Sequence, residues 1–270
     1  MIVLSVSASD KNDSYKRENL KGKVKSVTRT DYTRWTKNGV SGDSLSWTST
    51  YKTTYNLEGK PIENSSYNKN GGSRNSDTIP YDLNGNRLHT LRGFKNGKYS
   101  QKIIYAYNAL GDKTQEKEYN IDDSLVGYTL YKYNESRNCI ESRRLDKNDN
   151  IRGITIFEYD SAGNNTVERS LIKWDSSLNK KTTYRYNTEG LVIERKIYYA
   201  KDSLHLTYIS TYNKNGDKID SRAYDGLGKS VKQFSQTYYY VYDKIRNWKK
   251  QTTKSDGRVV HICTRKIEYY

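Results

Sequence analysis

"YDLNGNRL" occupies residues 81–88, and the same phrase stands 26 residues earlier as "YNLEGKPI" and 26 residues later as "YNALGDKT". Its anchor, Tyr followed by Asn or Asp, falls at Tyr55, Tyr81, Tyr107, Tyr133, Tyr159, Tyr186, Tyr212 and Tyr242, in steps of 26, 26, 26, 26, 27, 26 and 30 residues. Glycine stands four residues after the tyrosine in six copies, at Gly59, Gly85, Gly111, Gly163, Gly190 and Gly216, while Arg137 and Arg246 take that place in the other two. So regular a period marks a repeat architecture, in which each unit buries its apolar face only by stacking on its neighbours.

The local chemistry of the phrase is that of a hairpin turn. Asn or Asp at the first position accepts a hydrogen bond from the backbone two residues on. Glycine at the fourth position supplies a positive φ at little cost. Together they make a type I turn closed by a left-handed residue, and the tyrosine ends the incoming strand. A looser second turn follows about half a period on, as in "YNKNGG" from Tyr67, "FKNGK" from Phe94, "LDKNDN" from Leu145 and "YDGLGK" from Tyr224. Two turns per repeat leave strands of about 8–9 residues, and consecutive strands joined by tight turns pair antiparallel. The expectation is an all-β antiparallel β-hairpin repeat array, with about eight repeats of about 26 residues. Sheet twist makes it elongated and twisted or spiral, with about 16–20 strands and essentially no helix.

Composition narrows what such an array is made of. Hydrophobic residues are 33% of the chain and mean hydropathy is -1.03, yet there are 27 Tyr against 3 Phe, 4 Trp and 1 Met. Tyrosine and threonine favour strands. In "LSWTSTYKTTYN" a period of two puts Leu45, Trp47, Ser49, Tyr51, Thr53 and Tyr55 on one face. Before most anchors a second aromatic stands two residues back, as in Tyr105/Tyr107, Tyr131/Tyr133 and Phe157/Tyr159, so stacked repeats should build an aromatic ladder. The ladder tyrosines are expected to be buried, with rings stacked between repeats. The net charge of +16 is spread along the chain and suits either a solvated surface or an acidic partner.

No catalytic, cofactor or metal motif emerges. His89, His205 and His261 share no ligand spacing with Cys or carboxylates. Asp146, Asn148 and Asn150 alternate like the start of a calcium loop, but Ile151 stands where that loop needs glycine, so they read as a turn. Cys139 and Cys263 lie many strands apart along the array and are not expected to pair. Function must then live on a face, with Trp47 and Trp174 as the candidate binding residues. No stretch is long and apolar enough for a membrane-spanning helix. Residues 1–14 read as a signal-peptide remnant or a disordered N-terminus, with Val6-Ser7-Ala8 fitting a cleavage site. Residues 15–50 read as N-terminal capping strands, 51–243 as the hairpin repeats and 244–270 as a C-terminal capping hairpin.

"YAYNALGD", "FEYDSAGN" and "YRYNTEGL" resemble the "YxYDxxGN" phrase of bacterial YD-repeat (Rhs-type) proteins. The closing "YVYDKIRNWKKQTTKSDGRVVHICTRKIEYY" is similar to the end of secreted YD-repeat proteins of Bacteroidetes, with Arg246 where they carry glycine. The period is longer than that of Rhs repeats, and residues 1–270 show no autoproteolytic core segment or toxin domain. The resemblance implies hairpin repeats, a secreted, periplasmic or cell-surface location, and binding rather than catalysis. The function it implies is an exported binding or scaffold module for a glycan or protein partner. A basic nucleic-acid-binding platform and a toxin-associated or immunity-type role stay open beside it.

Overall fold

The computed structural model describes residues 18–37, 40–95, 98–199 and 202–270. The stretch 1–14 and the tip of the "FKNGK" turn lie outside the described residues. The strands in chain order begin β1 (Val24–Lys37), β2 (Val40–Tyr55), β3 (Pro61–Tyr67), β4 (Ser73–Thr78), β5 (His89–Lys95) and β6 (Lys98–Tyr107). They continue β7 (Lys113–Asn120), β8 (Leu125–Tyr133), β9 (Cys139–Asp146), β10 (Ile151–Tyr159), β11 (Asn165–Ile172) and β12 (Lys180–Tyr186). The last are β13 (Val192–Tyr199), β14 (Ser203–Tyr212), β15 (Lys218–Asp225), β16 (Gln236–Tyr242), β17 (Trp248–Ser255) and β18 (Arg258–Tyr269). These 18 strands belong to one sheet. Among the described residues the only helical turns are two short 3₁₀ segments, Ser176–Leu178 and Lys232–Phe234. The all-β hairpin array expected from the repeat is the observed architecture.

The described chain packs as two compact units. One holds residues 80–208 and 224–229, the other residues 18–79, 209–223 and 230–270. Within the first, the antiparallel ladders run between chain neighbours from β5 to β9, through β10 and β11, to β13. The second gathers both ends of the chain: β1 pairs antiparallel with β2 on one side and with β18 on the other. The stretches read as two separate caps are therefore joined directly. Pairing two terminal strands satisfies backbone groups that each would otherwise expose along an edge.

The hydrophobic cluster of the second unit lies at this junction, where Val24, Val27 and Tyr55 are buried against Leu20, Ile267 and Tyr269. In the first unit Ile103, Cys139, Leu145, Phe157, Ile197 and Leu206 are buried. The single face expected from Leu45 to Tyr55 is interrupted. Asp31 of β1 pairs with Ser49 but Tyr32 pairs with Trp47, so Thr48 bulges out of the ladder. A bulge inserts one residue and breaks the period of two. Past the bulge, Tyr51 is 53% exposed while Tyr55, packed in the cluster with Val24 and Val27, is 2% exposed.

The turns follow one plan. Gly59, Gly85, Gly111, Gly163, Gly190 and Gly216 have φ between 75 and 81°, and Arg137 and Arg246 adopt 62 and 68°. In each turn the leading Asn or Asp accepts from the backbone, as Asp160 Oδ1 does from Ala162 N (3.0 Å) and Asn164 N (2.8 Å). Nothing lies within 4 Å of a Cβ built on Gly163. A β-branched residue there meets only backbone strain, so Gly163→Val is expected to cost about 1–2 kcal/mol in a urea melt. A loss no larger than that of an exposed strand substitution would show that the left-handed turn does not constrain this position.

Candidate functional site

The ladder tyrosines are tied together through their hydroxyls. Tyr107 Oη donates to Arg87 O (2.9 Å), Tyr133 to Lys113 O (2.8 Å), Tyr159 to Cys139 O (2.7 Å) and Tyr186 to Asn165 O (2.6 Å). Each accepting carbonyl lies six residues past the preceding anchor in sequence, where the chain leaves the previous turn. In the long last step the same bond comes from Tyr240, to Lys218 O at 2.8 Å, while Tyr242 donates to Asp217 Oδ2 at 2.8 Å. Tyr55 is buried; Tyr81 and the others are half-buried. Tyr240 and Tyr242, two residues apart on β16, have ring centres 5.9 Å apart. Cations also sit between rings of neighbouring repeats: Lys113 Nζ lies 5.5 Å from the Tyr105 ring centre and 4.8 Å from that of Tyr131, and Lys218 Nζ lies 5.8 Å from that of Tyr212. The tyrosines thus do two tasks: their hydroxyls bond backbone carbonyls, which phenylalanine cannot do, and their ring faces accept cations.

A second ladder joins the turns. Asp112 is 2% exposed and receives Arg137 Nε (3.0 Å) and Nη2 (2.6 Å) from the next turn. Asn247, 1% exposed, accepts from Lys21 N (2.8 Å) and donates to Lys21 O (2.7 Å). Arginine at the glycine position of that repeat is therefore a link between turns as well as a turn residue.

Several other reactive groups have structural partners. His261 Nε2 donates to Asp31 Oδ1 at 2.8 Å, and His205 packs edge-on against Tyr199 at 5.2 Å. Against burial, which pushes it up, the backbone N–H groups of Asn150 and Asn148 and the Arg152 guanidinium hold Asp146 at about 2. It is the hub of a turn, as its spacing indicated. Cys139 and Cys263 are free and buried. Burial pushes their thiols up to about 11 and about 12, so both stay protonated at neutral pH.

The two tryptophans differ. Trp47 is half-buried, and its indole N–H donates to Thr50 Oγ1 at 3.0 Å. Trp174 is 64% exposed and forms one wall of an open groove of about 420 Å³. It stands on the connection between β11 and β12, where Asp175 caps the short Ser176–Leu178 turn by accepting from Ser177 N at 2.9 Å. This connection lies in the one repeat with a 27-residue step. The groove floor is made by absent side chains. Arg144, Gly153 and Ile172 lie opposite one another across β9, β10 and β11, so the missing side chain at Gly153 leaves a gap between an arginine and an isoleucine. Gly127, opposite Asp146, lengthens the gap. A Cβ on Gly127 would meet Leu145 O at 2.5 Å, and one on Gly153 would meet Leu171 O at 3.3 Å. Arg144 and Arg152 flank the groove with side chains 67% and 52% exposed.

Of the two predicted binding residues, Trp47 is half-buried and Trp174 lines a groove. Sequence reasoning missed its partners Gly127, Gly153, Arg144 and Arg152. Their signal was present: two glycines outside any turn position, beside a connection one residue off the period.

No family profile matches the chain, and no curated protein matches it in sequence. Among solved structures, it is similar to one described as TcdB2-TccC3-Cdc42, at a TM-score of 0.41 and 13% identity, covering 87% of this chain but 14% of that one. It is also similar to a porin-like protein from Bacteroides uniformis, at a TM-score of 0.45 and 10% identity, covering 92% of this chain and 98% of that one. Likenesses at this level assign neither family nor activity, and the groove must speak for itself.

Proposed function

We propose that this protein is a non-enzymatic binding module acting outside the cytoplasm at the cell envelope, and that it holds a glycan in the groove beside Trp174. The observation that carries this reading is a large exposed indole over a floor opened by Gly127 and Gly153. Aromatic faces stack on the apolar faces of sugar rings, and such a platform needs a gap of sugar depth beside it. Arg144 and Arg152 offer hydrogen-bond donors along the rim, fitted to hydroxyl and ring oxygens. The carboxylate lining the groove, Asp146, is committed to its turn and to Arg152, so no poised acid, base or nucleophile faces a bound ligand. Thiols kept protonated by burial are suited to an oxidising compartment.

The test is a glycan binding screen followed by titration of the best binder at about 0.15 M salt. Trp174→Ala is expected to weaken binding by about tenfold or more, the equivalent of about 1.4 kcal/mol, with an unchanged melting temperature. Gly153→Val, which fills the floor, should weaken it similarly. Glycan affinity indifferent to both substitutions would overturn the assignment. Binding of single-stranded nucleic acid that falls steeply with salt and needs Trp174 would favour the nucleic-acid reading instead.

A further inference from the structure

The 30-residue step between Tyr212 and Tyr242 is the largest departure from the period, and a second cleft opens there. It encloses about 450 Å³ among strands β15, β16 and β17 of the other compact unit. The β15–β16 ladder has only two pairs, Asp220 with Thr237 and Ser221 with Gln236, because the chain before β16 leaves the sheet through the Lys232–Phe234 turn. That excursion is fixed in place. Val231 N donates to Ala223 O (2.8 Å), and Ser235 Oγ accepts from Ala223 N (3.0 Å). The cleft is thus built rather than left over.

Its chemistry differs from that of the Trp174 groove. Asp220, Thr237 and Lys254 lie in one row across the three strands, and Tyr239 lies on the same face two residues from Thr237. Tyr239 is 52% exposed, with Lys254 Nζ 5.1 Å from its ring centre. Asp220 is answered by Arg222 Nε at 3.0 Å and by Thr237 Oγ1 at 3.3 Å. Lys232 and Lys254 have no carboxylate partner among the described residues. The cleft therefore presents an aromatic face, two ammonium groups and the Arg222 guanidinium against the carboxylates of Asp220 and Asp256, and the hydrogen-bonding side chains of Ser230 and Gln236, a balance of one positive charge.

We infer that this cleft binds an acidic sugar residue of an anionic polysaccharide, as a site separate from the Trp174 groove. The ring of Tyr239 receives the sugar face, Lys254 and Lys232 receive its carboxylate, and the polar side chains receive its hydroxyls. A single-stranded nucleic acid is the less fitting occupant, because it needs successive aromatic faces along a track and the cleft offers one.

The probe is a galacturonate oligosaccharide, titrated at about 0.15 M salt so that the diffuse positive charge of the chain is screened. Cellotriose and oligothymidylate serve as comparators. Tyr239→Ala and Lys254→Gln, both at exposed or half-exposed positions, are each expected to weaken galacturonate binding about tenfold without lowering the melting temperature. In the Trp174→Ala background, which lacks the other platform, the same losses should be seen, so this site and the Trp174 reading can fail separately. In that background, cellotriose bound as tightly as galacturonate would overturn the acid specificity. Oligothymidylate bound more tightly, with the same dependence on Tyr239, would overturn the ligand class. Galacturonate binding that is absent, or unaffected by both substitutions, would overturn the site.

Discussion

Tyr159→Ala is expected to lower the unfolding free energy by about 2–4 kcal/mol, and Tyr159→Phe by about 1 kcal/mol. The difference separates the two tasks of the ladder. Phenylalanine keeps the ring and removes only the 2.7 Å bond from the hydroxyl to Cys139 O, leaving that carbonyl without this donor. Alanine removes the half-buried ring as well, next to the fully buried Cys139 and near Phe157. Urea melts of both variants measure this. A phenylalanine variant as stable as the wild type would show that the hydroxyl bond contributes nothing. An alanine variant as stable as the wild type would return the ladder to consideration as an exposed functional surface. Because repeats interact mainly with their neighbours, the damage should be local, and hydrogen exchange should quicken around β9 to β11 before it does elsewhere.

The same bonds carry a pH dependence. Burial pushes the phenols of Tyr184 and Tyr186 up to about 12. The neutral phenol donates to a carbonyl, as Tyr186 does to Asn165 O, and the phenolate cannot. A folded-state value above the unfolded one, about 10, gives stability that is fully present below about pH 10 and lost as pH rises toward about 12. Absorbance of the phenolate and loss of the strand circular-dichroism signal should then rise together in that window.

The fold was legible because the repeat writes its own turns. Tyr-Asn/Asp with a left-handed residue four positions on is enough to place a hairpin, and two hairpins per period force an antiparallel array. The arginine copies obey the same geometry, Arg137 at a φ of 62° and Arg246 at 68°. What stayed illegible was everything that repeats do not specify. The pairing of β1 with β18 joins residues more than 200 positions apart, and no local pattern encodes it. The Thr48 bulge depends on the facing strand rather than on its own sequence. The role of tyrosine was legible in position but not in mechanism: alternation gives a face, whereas the bond of Tyr133 to Lys113 O depends on how one repeat sits on the next. Both clefts mark places where the period fails, at the 27-residue and 30-residue steps. Sequences that specify one structure agree across levels, and the places where they break their own rule are where a function can be accommodated.

Asp31→Ala is expected to cost about 2–4 kcal/mol and to loosen the junction between the two ends of the chain. Asp31 lies in β1 opposite Cys263 of β18 and opposite Ser49 of β2, and it is 8% exposed. Its carboxylate accepts from Arg29 Nε at 2.9 Å, from Arg29 Nη2 at 2.8 Å and from His261 Nε2 at 2.8 Å. Alanine would leave the guanidinium and the imidazole without that acceptor in the centre of a three-stranded stretch. Asp31→Asn is the sharper probe, since it keeps the shape and removes the charge. Burial pushes the Asp31 carboxyl up, but the bonds from His261 and Arg29 outweigh it and hold the group well below the usual carboxylate range. A folded-state value below the unfolded one gives stability that is fully present above the ordinary aspartate value, about 4, and is lost as pH falls below it. The wild type should therefore be clearly more stable than Asp31→Asn at about pH 7, and the gap should narrow steadily from about pH 4 downward. Melting temperatures of the two proteins across that range measure the gap directly, and other acidic groups cancel in the comparison. A gap that stayed constant down to about pH 2 would mean that the Asp31 charge does not hold β1 against β18, and that the buried cluster of Val24, Val27 and Tyr55 secures the chain ends alone.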